Sequence, residues 1–226
     1  MLLYREPTPI AEEGFVRVNF DPTLERLLRE VKYLQNLDIA VPERASLLFE
    51  KADIYRTQTG RLEIIVSMYN DILKILLPVE KPLLQKRIEA MDKALMDGIE
   101  KLTWNSAGID SFIASAHSTV SQIDELVKKM KDNVLKMGEM MDQWKTPLFE
   151  RKTKTMTPED LESTHASVVM ARLDEIKSHG KDIQKLVKDT TENIKPDKKS
   201  QQWLSYVDYL NSLVIEGITE GINASL

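Results

Sequence analysis

Val18-Asn19-Phe20-Asp21-Pro22-Thr23-Leu24-Glu25-Arg26-Leu27-Leu28-Arg29-Glu30-Val31-Lys32-Tyr33-Leu34 is the stretch whose reading decides the fold. It reads as the end of a short strand, a cap and an amphipathic helix. A carboxylate at Asp21 can accept hydrogen bonds from the free amides of a first helical turn. Proline suits the first helical position, because its missing N–H would have had no partner there. Leu24, Leu27, Leu28, Val31 and Leu34 then recur at three- and four-residue steps and fall on one helical face, which predicts a core-facing stripe.

Upstream of this stretch, residues 2–6 (Leu-Leu-Tyr-Arg-Glu) and 15–20 (Phe-Val-Arg-Val-Asn-Phe) are short and rich in branched and aromatic side chains, with Pro7, Pro9 and Gly14 between them. That pattern predicts a β-hairpin over residues 1–20. Downstream, the first helix should run to Leu37. A second should start at Pro42 in the manner of Pro22 and continue to Leu76, with a kink or short break in the apolar-poor patch Thr57 to Gly60. Pro78 and Pro82 mark a corner, and Leu84, Ile88, Met91, Leu95, Ile99 and Leu102 define a third helix.

The fourth helix has the longest register. Ile109, Phe112, Ile113, Ala116, Val120, Ile123, Leu126, Val127, Met130, Val134, Met137, Met141 and Trp144 keep one face for about 50 Å of helix at about 1.5 Å per residue. Residues 146–157, with Pro147 and a basic run from Lys145 to Lys154, read as a linker. Thr157-Pro158-Glu159-Asp160 repeats the cap–proline–acid opening, and its acids suit the positive end of a helix dipole. A fifth helix ends near Lys195-Pro196-Asp197. A sixth, from about Lys199, carries Trp203, Tyr206, Val207, Leu210, Val214, Ile218 and Ile222 on one face and stops without a glycine cap, as expected of a chain cut from something longer.

The fold expected is therefore all-α: an elongated antiparallel helical bundle of about six long helices preceded by a short N-terminal β-hairpin. The hairpin occupies 1–20, a bundle 21–145, a linker 146–157 and further helices of a next bundle 158–226. Composition agrees, with 8 glycines, 9 prolines and 30% charged residues in 226.

Composition also narrows the chemistry. A net charge of −5 gives no basic footprint for nucleic acid. With no cysteine, disulfides and thiolate metal sites are excluded. No apolar run approaches the ~20 residues of a membrane span. No glycine-rich phosphate loop of the GxxxxGK[ST] type and no dinucleotide fingerprint is present, so no nucleotide or other cofactor is expected. Glu162-x-x-His165 has the spacing used in di-iron bundles, but those need a second such pair, and neither His117 nor His179 has a glutamate three residues before it. No metal site and no catalytic residue is assigned. Helix-spaced opposite charges such as Glu125/Lys129 and Asp182/Lys185 read as solvated faces.

The predicted core comprises Leu24, Leu27, Leu28, Val31, Leu34, Trp104, Phe112 and Ile113. Methionine-rich surfaces can adapt to partner helices, and exposed tryptophans make strong contacts, so Met137, Met140, Trp144 and Trp203 are candidate partner-surface residues. The competing reading places these side chains in the core as gap-fillers and anchors.

The wording from Val18 to Leu37 resembles the N-terminal tail region of dynein heavy chains. The likeness continues in order through Pro42 to Tyr55, Ile65 to Asn70, Leu76-Leu77-Pro78-Val79-Glu80, and Leu102-Thr103-Trp104-Asn105-Ser106 with Ile109-Asp110 and Phe112-Ile113, covering about residues 15–115. It is nearer to axonemal than to cytoplasmic dyneins. The resemblance implies a non-catalytic scaffold of helical bundles that precedes the motor ring, with intermediate chains and other heavy chains as partners, only indirect microtubule association, and a place in the cytoskeleton of a cilium or flagellum. A free-standing helical adaptor or tethering protein is the alternative.

Overall fold

The computed structural model describes residues 1–7, 14–148 and 157–225. Among these residues there are one two-stranded sheet and seven helices. The strands are β1 (Leu3–Glu6) and β2 (Phe15–Val18); the helices are α1 (Pro22–Asn36), α2 (Glu43–Glu50), α3 (Ala52–Ile75), α4 (Lys81–Glu100), α5 (Ile109–Trp144), α6 (Pro158–Ile194) and α7 (Gln201–Ser225). The expected mainly helical fold with an N-terminal hairpin is what forms. Of the 146–157 segment read as a linker, residues 149–156 lie outside the described ones, as does the hairpin loop at 8–13.

The chain makes two compact units, Met1–Leu77 with Leu84–Glu125, and Pro78–Leu83 with Leu126–Leu226. In the first, β1 and β2 pair antiparallel with Leu3 opposite Val18 and Arg5 opposite Val16. An isolated two-stranded hairpin is marginal in water, and here α3 and α4 complete it. The Asn70 side chain pairs with the open edge of β2: its Nδ2 donates to the Val16 carbonyl (2.9 Å) and its Oδ1 accepts from the Val16 amide (3.0 Å). The Leu2 amide donates to the carbonyls of Gly98 (3.1 Å) and Leu102 (2.8 Å) at the end of α4. Leu2, Leu3 and Val16 are thereby buried.

α1 starts as its sequence dictates. Asp21 accepts from the Thr23 amide at 2.8 Å, which draws its carboxyl pKa below the usual carboxylate range, and Pro22 opens the helix. α1 ends with Asp38 at a φ of 54° and the Ile39 amide donating to the Leu34 carbonyl at 2.9 Å. This is a left-handed helix stop with aspartate in the place that glycine usually takes.

Two local expectations are corrected. Pro42 does not open α2 from inside; its ψ of 137° makes it the residue before the helix, whose carbonyl accepts from Ala45 and Ser46. The second predicted helix does break, but at Lys51 (φ −93°, ψ 2°), while Thr57 to Gly60 is continuous helix. That patch looked weak because it lacks apolar residues, yet Gln58 and Thr59 are buried as polar members of the core. The extra break makes the helices seven.

In the first unit α5 buries Ile109, Ile113, Ala116, Val120 and Ile123; in the second it buries Val127, Met130, Met137, Met141 and Trp144. α6 opens with Thr157 as cap, whose Oγ1 accepts from the Asp160 amide (3.2 Å) and donates to the Asp160 carboxylate (2.7 Å). In this unit α7 approaches α5 closely. A Cβ placed on Gly221 would lie 2.8 Å from the Trp144 carbonyl oxygen, and one on Gly217 2.9 Å from Met141.

Candidate functional site

The two stretches with the most distinctive wording, around Asn19-Phe20-Asp21 and Trp104-Asn105, come together in the first unit. The Trp104 indole Nε1 donates to the Asn19 carbonyl at 2.8 Å. Its ring meets Phe20 edge-on (centroids 5.4 Å, 73°) and Tyr55 edge-on (6.2 Å, 85°). The Tyr55 hydroxyl donates to Asn105 Oδ1 at 3.3 Å. T-shaped aromatic pairs contribute about 0.5–1.5 kcal/mol beyond the area they bury. Leu24 and Leu48 join these rings around an open cleft of about 270 Å³, with Asn19, Asp21 and Asn105 at its rim.

Behind the hairpin lies a polar cluster. Arg5 donates to Asp92 (3.0 Å) and to the Tyr69 hydroxyl (3.2 Å), and that hydroxyl donates to the same Asp92 oxygen at 2.5 Å. Burial, reinforced by the hydrogen bond to Asp92, pushes the Tyr69 phenol well above its ordinary pKa. Each member has a charged or polar partner, so the cluster ties β1 to α3 and α4.

The second unit holds similar locks. Asn133 Nδ2 donates to Asp189 Oδ2 (2.8 Å) and to Thr190 Oγ1 (3.0 Å), fixing α5 against α6. Lys131 pairs with the buried Glu80. The Trp144 indole donates to His179 Nδ1 at 2.9 Å, and Arg172 caps the end of α5 by donating to the carbonyls of Trp144 (2.7 Å) and Thr146 (3.0 Å).

The residues singled out from the sequence fall as follows. Leu28, Val31 and Ile113 are buried; Leu24, Leu34, Trp104 and Phe112 are half-buried. Leu27 is 37% exposed, which corrects its assignment to the core. Neighbouring residues on a helix point about 100° apart, and Leu28 holds the inward direction. Met137, Trp144 and Trp203 are buried, so they do not form an outward partner surface; Met140 is half-buried. Trp144 is committed to His179 and Arg172, and Trp203 packs on Tyr206 at 5.9 Å.

The sequence reading did not pick out Arg5, Asn70, Asp92, Asn133 or His179 as structural locks, because their partners lie 23 to 87 residues away. Among the described residues no three His, Cys, Asp or Glu side chains converge to hold a metal ion, and no helix is long and apolar enough to cross a membrane.

The described residues form a hairpin-headed helical assembly whose distinctive side chains pair with one another. Residues 1–112 match the family described as "Dynein heavy chain, N-terminal region 1". The chain is 34% identical to the "Dynein beta chain, flagellar outer arm" of Chlamydomonas reinhardtii over 91% of its length, 33% identical to the "Dynein beta chain, ciliary" of Heliocidaris crassispina over 93%, and 30% identical to "Dynein axonemal heavy chain 9" of Homo sapiens over 100%. It spans 5% of the length of each of these relatives. The chain belongs to the dynein heavy chain family and corresponds to its N-terminal region.

Proposed function

We propose that this segment is a non-catalytic structural part of an axonemal dynein tail, which scaffolds subunit assembly and carries force in ciliary or flagellar motility. The observation that supports this most is the fate of its distinctive side chains. Asn19, Phe20, Trp104, Tyr55 and Asn105 bind one another. Arg5, Tyr69 and Asp92 do the same. Chemistry that an active site would direct at a substrate is here directed at neighbouring elements. A load-bearing segment needs such cross-links, because buried hydrogen-bonded networks resist sliding between elements.

The partners of this reading are intermediate chains and other heavy chains, and its place is the axoneme. The experiment is reconstitution: the chain, co-expressed with an axonemal intermediate chain and with the matching N-terminal region of a second heavy chain, is tested for co-purification and for ATP hydrolysis. Stable association with at least one of them and no hydrolysis above background are expected. A monomer that associates with neither overturns the scaffold reading, and hydrolysis that follows the purified chain overturns the non-catalytic one.

A further inference from the structure

Beyond its own packing, the first unit carries a groove of about 600 Å³ between α1 on one side and the end of α2 with the start of α3 on the other. Its floor is apolar: Leu28 and Ala52 are buried there and Phe49 is half-buried. Its charges are unevenly spread. α1 contributes Arg29 and Lys32, and the facing wall contributes Glu50 together with Asp53 and Arg56, the last two ion-paired with each other, all exposed.

One ion pair spans α1 and α3 here. Arg56 donates through Nε (2.9 Å) and Nη2 (3.1 Å) to the two carboxylate oxygens of Glu25, and through Nη1 to Asp53 (3.3 Å). This fork lowers the Glu25 pKa, chiefly through its hydrogen bonds. Further along, no cross-groove ion pair forms among the described residues, and neither Lys32 nor Glu50 has an ion-pair partner there. Beyond the Arg56 bridge, Arg29 and Lys32 on one side and Glu50 on the other thus line an apolar trough without meeting.

The geometry points to a docking site for an amphipathic helix of another polypeptide, with an apolar ridge on Leu28, Phe49 and Ala52, an acidic flank toward Arg29 and Lys32, and a basic residue toward Glu50. The charge pattern selects this occupant. A nucleic acid or an all-acidic peptide meets Glu50, an all-basic peptide meets Arg29 and Lys32, and like charges brought together cost affinity. A two-sign helix satisfies both walls, and the two signs also fix its direction along the groove.

The test uses the whole chain and three fluorescein-labelled 15-residue helical peptides with the same leucine ridge: one with Glu on one flank and Lys on the other, one with Lys on both and one with Glu on both. By fluorescence anisotropy at low salt, the two-sign peptide should bind roughly tenfold more tightly than either other, with the gap narrowing as salt rises. Lys32→Glu should weaken the two-sign peptide and strengthen the all-Lys one. Glu50→Lys should strengthen the all-Glu peptide, with circular dichroism showing both variants folded as the unsubstituted chain is. Equal binding of the three peptides, no binding of the two-sign peptide, or indifference to Lys32→Glu overturns the proposal. So does a dimer of the chain in sedimentation that Lys32→Glu dissolves, since a second copy would then fill the groove. Because the probes are synthetic, failure here is separate from failure of the reconstitution with dynein subunits.

Discussion

Replacing Gly221 by alanine and replacing Gly138 by alanine should move stability in opposite directions. Both glycines sit inside helices, and alanine is favoured over glycine there by about 0.8–1.0 kcal/mol. At Gly138 in α5 the added methyl meets nothing within 4 Å, so that preference acts alone and the protein gains roughly 0.5–1 kcal/mol. At Gly221 in α7 the methyl would lie 2.8 Å from the Trp144 carbonyl oxygen and 3.2 Å from its Cβ. That oxygen belongs to the backbone of α5 and is held by Arg172 at 2.7 Å, so it cannot swing aside as a side chain would. Overpacking costs about 1–3 kcal/mol, and a charge-assisted bond strained by the shift contributes up to about 1.5–3 kcal/mol more. With the helix preference of about 0.8–1.0 kcal/mol subtracted, the net expectation for Gly221→Ala is a loss of up to about 5 kcal/mol, at roughly 2–4 °C of melting temperature per kcal/mol for a chain of this size. Urea denaturation followed by circular dichroism reads both. A Gly221→Ala protein as stable as Gly138→Ala would refute the close approach of α7 to the end of α5.

Three further outcomes follow from named contacts. Leu28→Asp should destabilise the first unit by more than about 4 kcal/mol in urea, because it buries an unpaired charge, while the half-turned neighbour Leu27→Asp should cost less than about 1 kcal/mol. His179→Phe should leave the buried Trp144 N–H without an acceptor and cost about 1–3 kcal/mol, read by urea denaturation with the tryptophan emission shifting in the same transition. Folding lowers the Asp21 pKa through the Thr23 amide, so its stabilisation is complete above about 3.9, the unfolded value, and is lost as pH falls through the folded one; Asp21→Asn, which keeps an acceptor without the charge, should narrow the difference between urea midpoints at pH 7 and pH 3.

Where the sequence spoke clearly, the signal was local. α5 was expected to begin at Ile109 and carry its apolar series to Trp144, and it spans Ile109–Trp144 because unbroken three- and four-residue steps fix both register and length. Caps at Asp21 and Thr157 were equally legible, since a cap and its amide lie two or three residues apart. The break at Lys51 was not, as no proline or glycine announces it. Leu27 was misassigned because an apolar pair at adjacent positions does not say which member faces inward. The residues at the Trp104 cleft were visible as two separate phrases, but their meeting depends on an 85-residue separation that no period records. The same holds for Arg5 and Asp92, where the pairing is a property of the folded unit.

The bonds from the Leu2 amide to the carbonyls of Gly98 and Leu102 set an order of events during synthesis. Their acceptors, and the Phe112 ring that crowds Gly98, are made about a hundred residues after the donor. At about 5–20 residues per second, Leu2 and Leu3 wait roughly 5–20 s for this cover. During that interval the apolar hairpin segment lacks its α4 and α5 partners on the ribosome, which makes it a natural client for chaperones that attend translation.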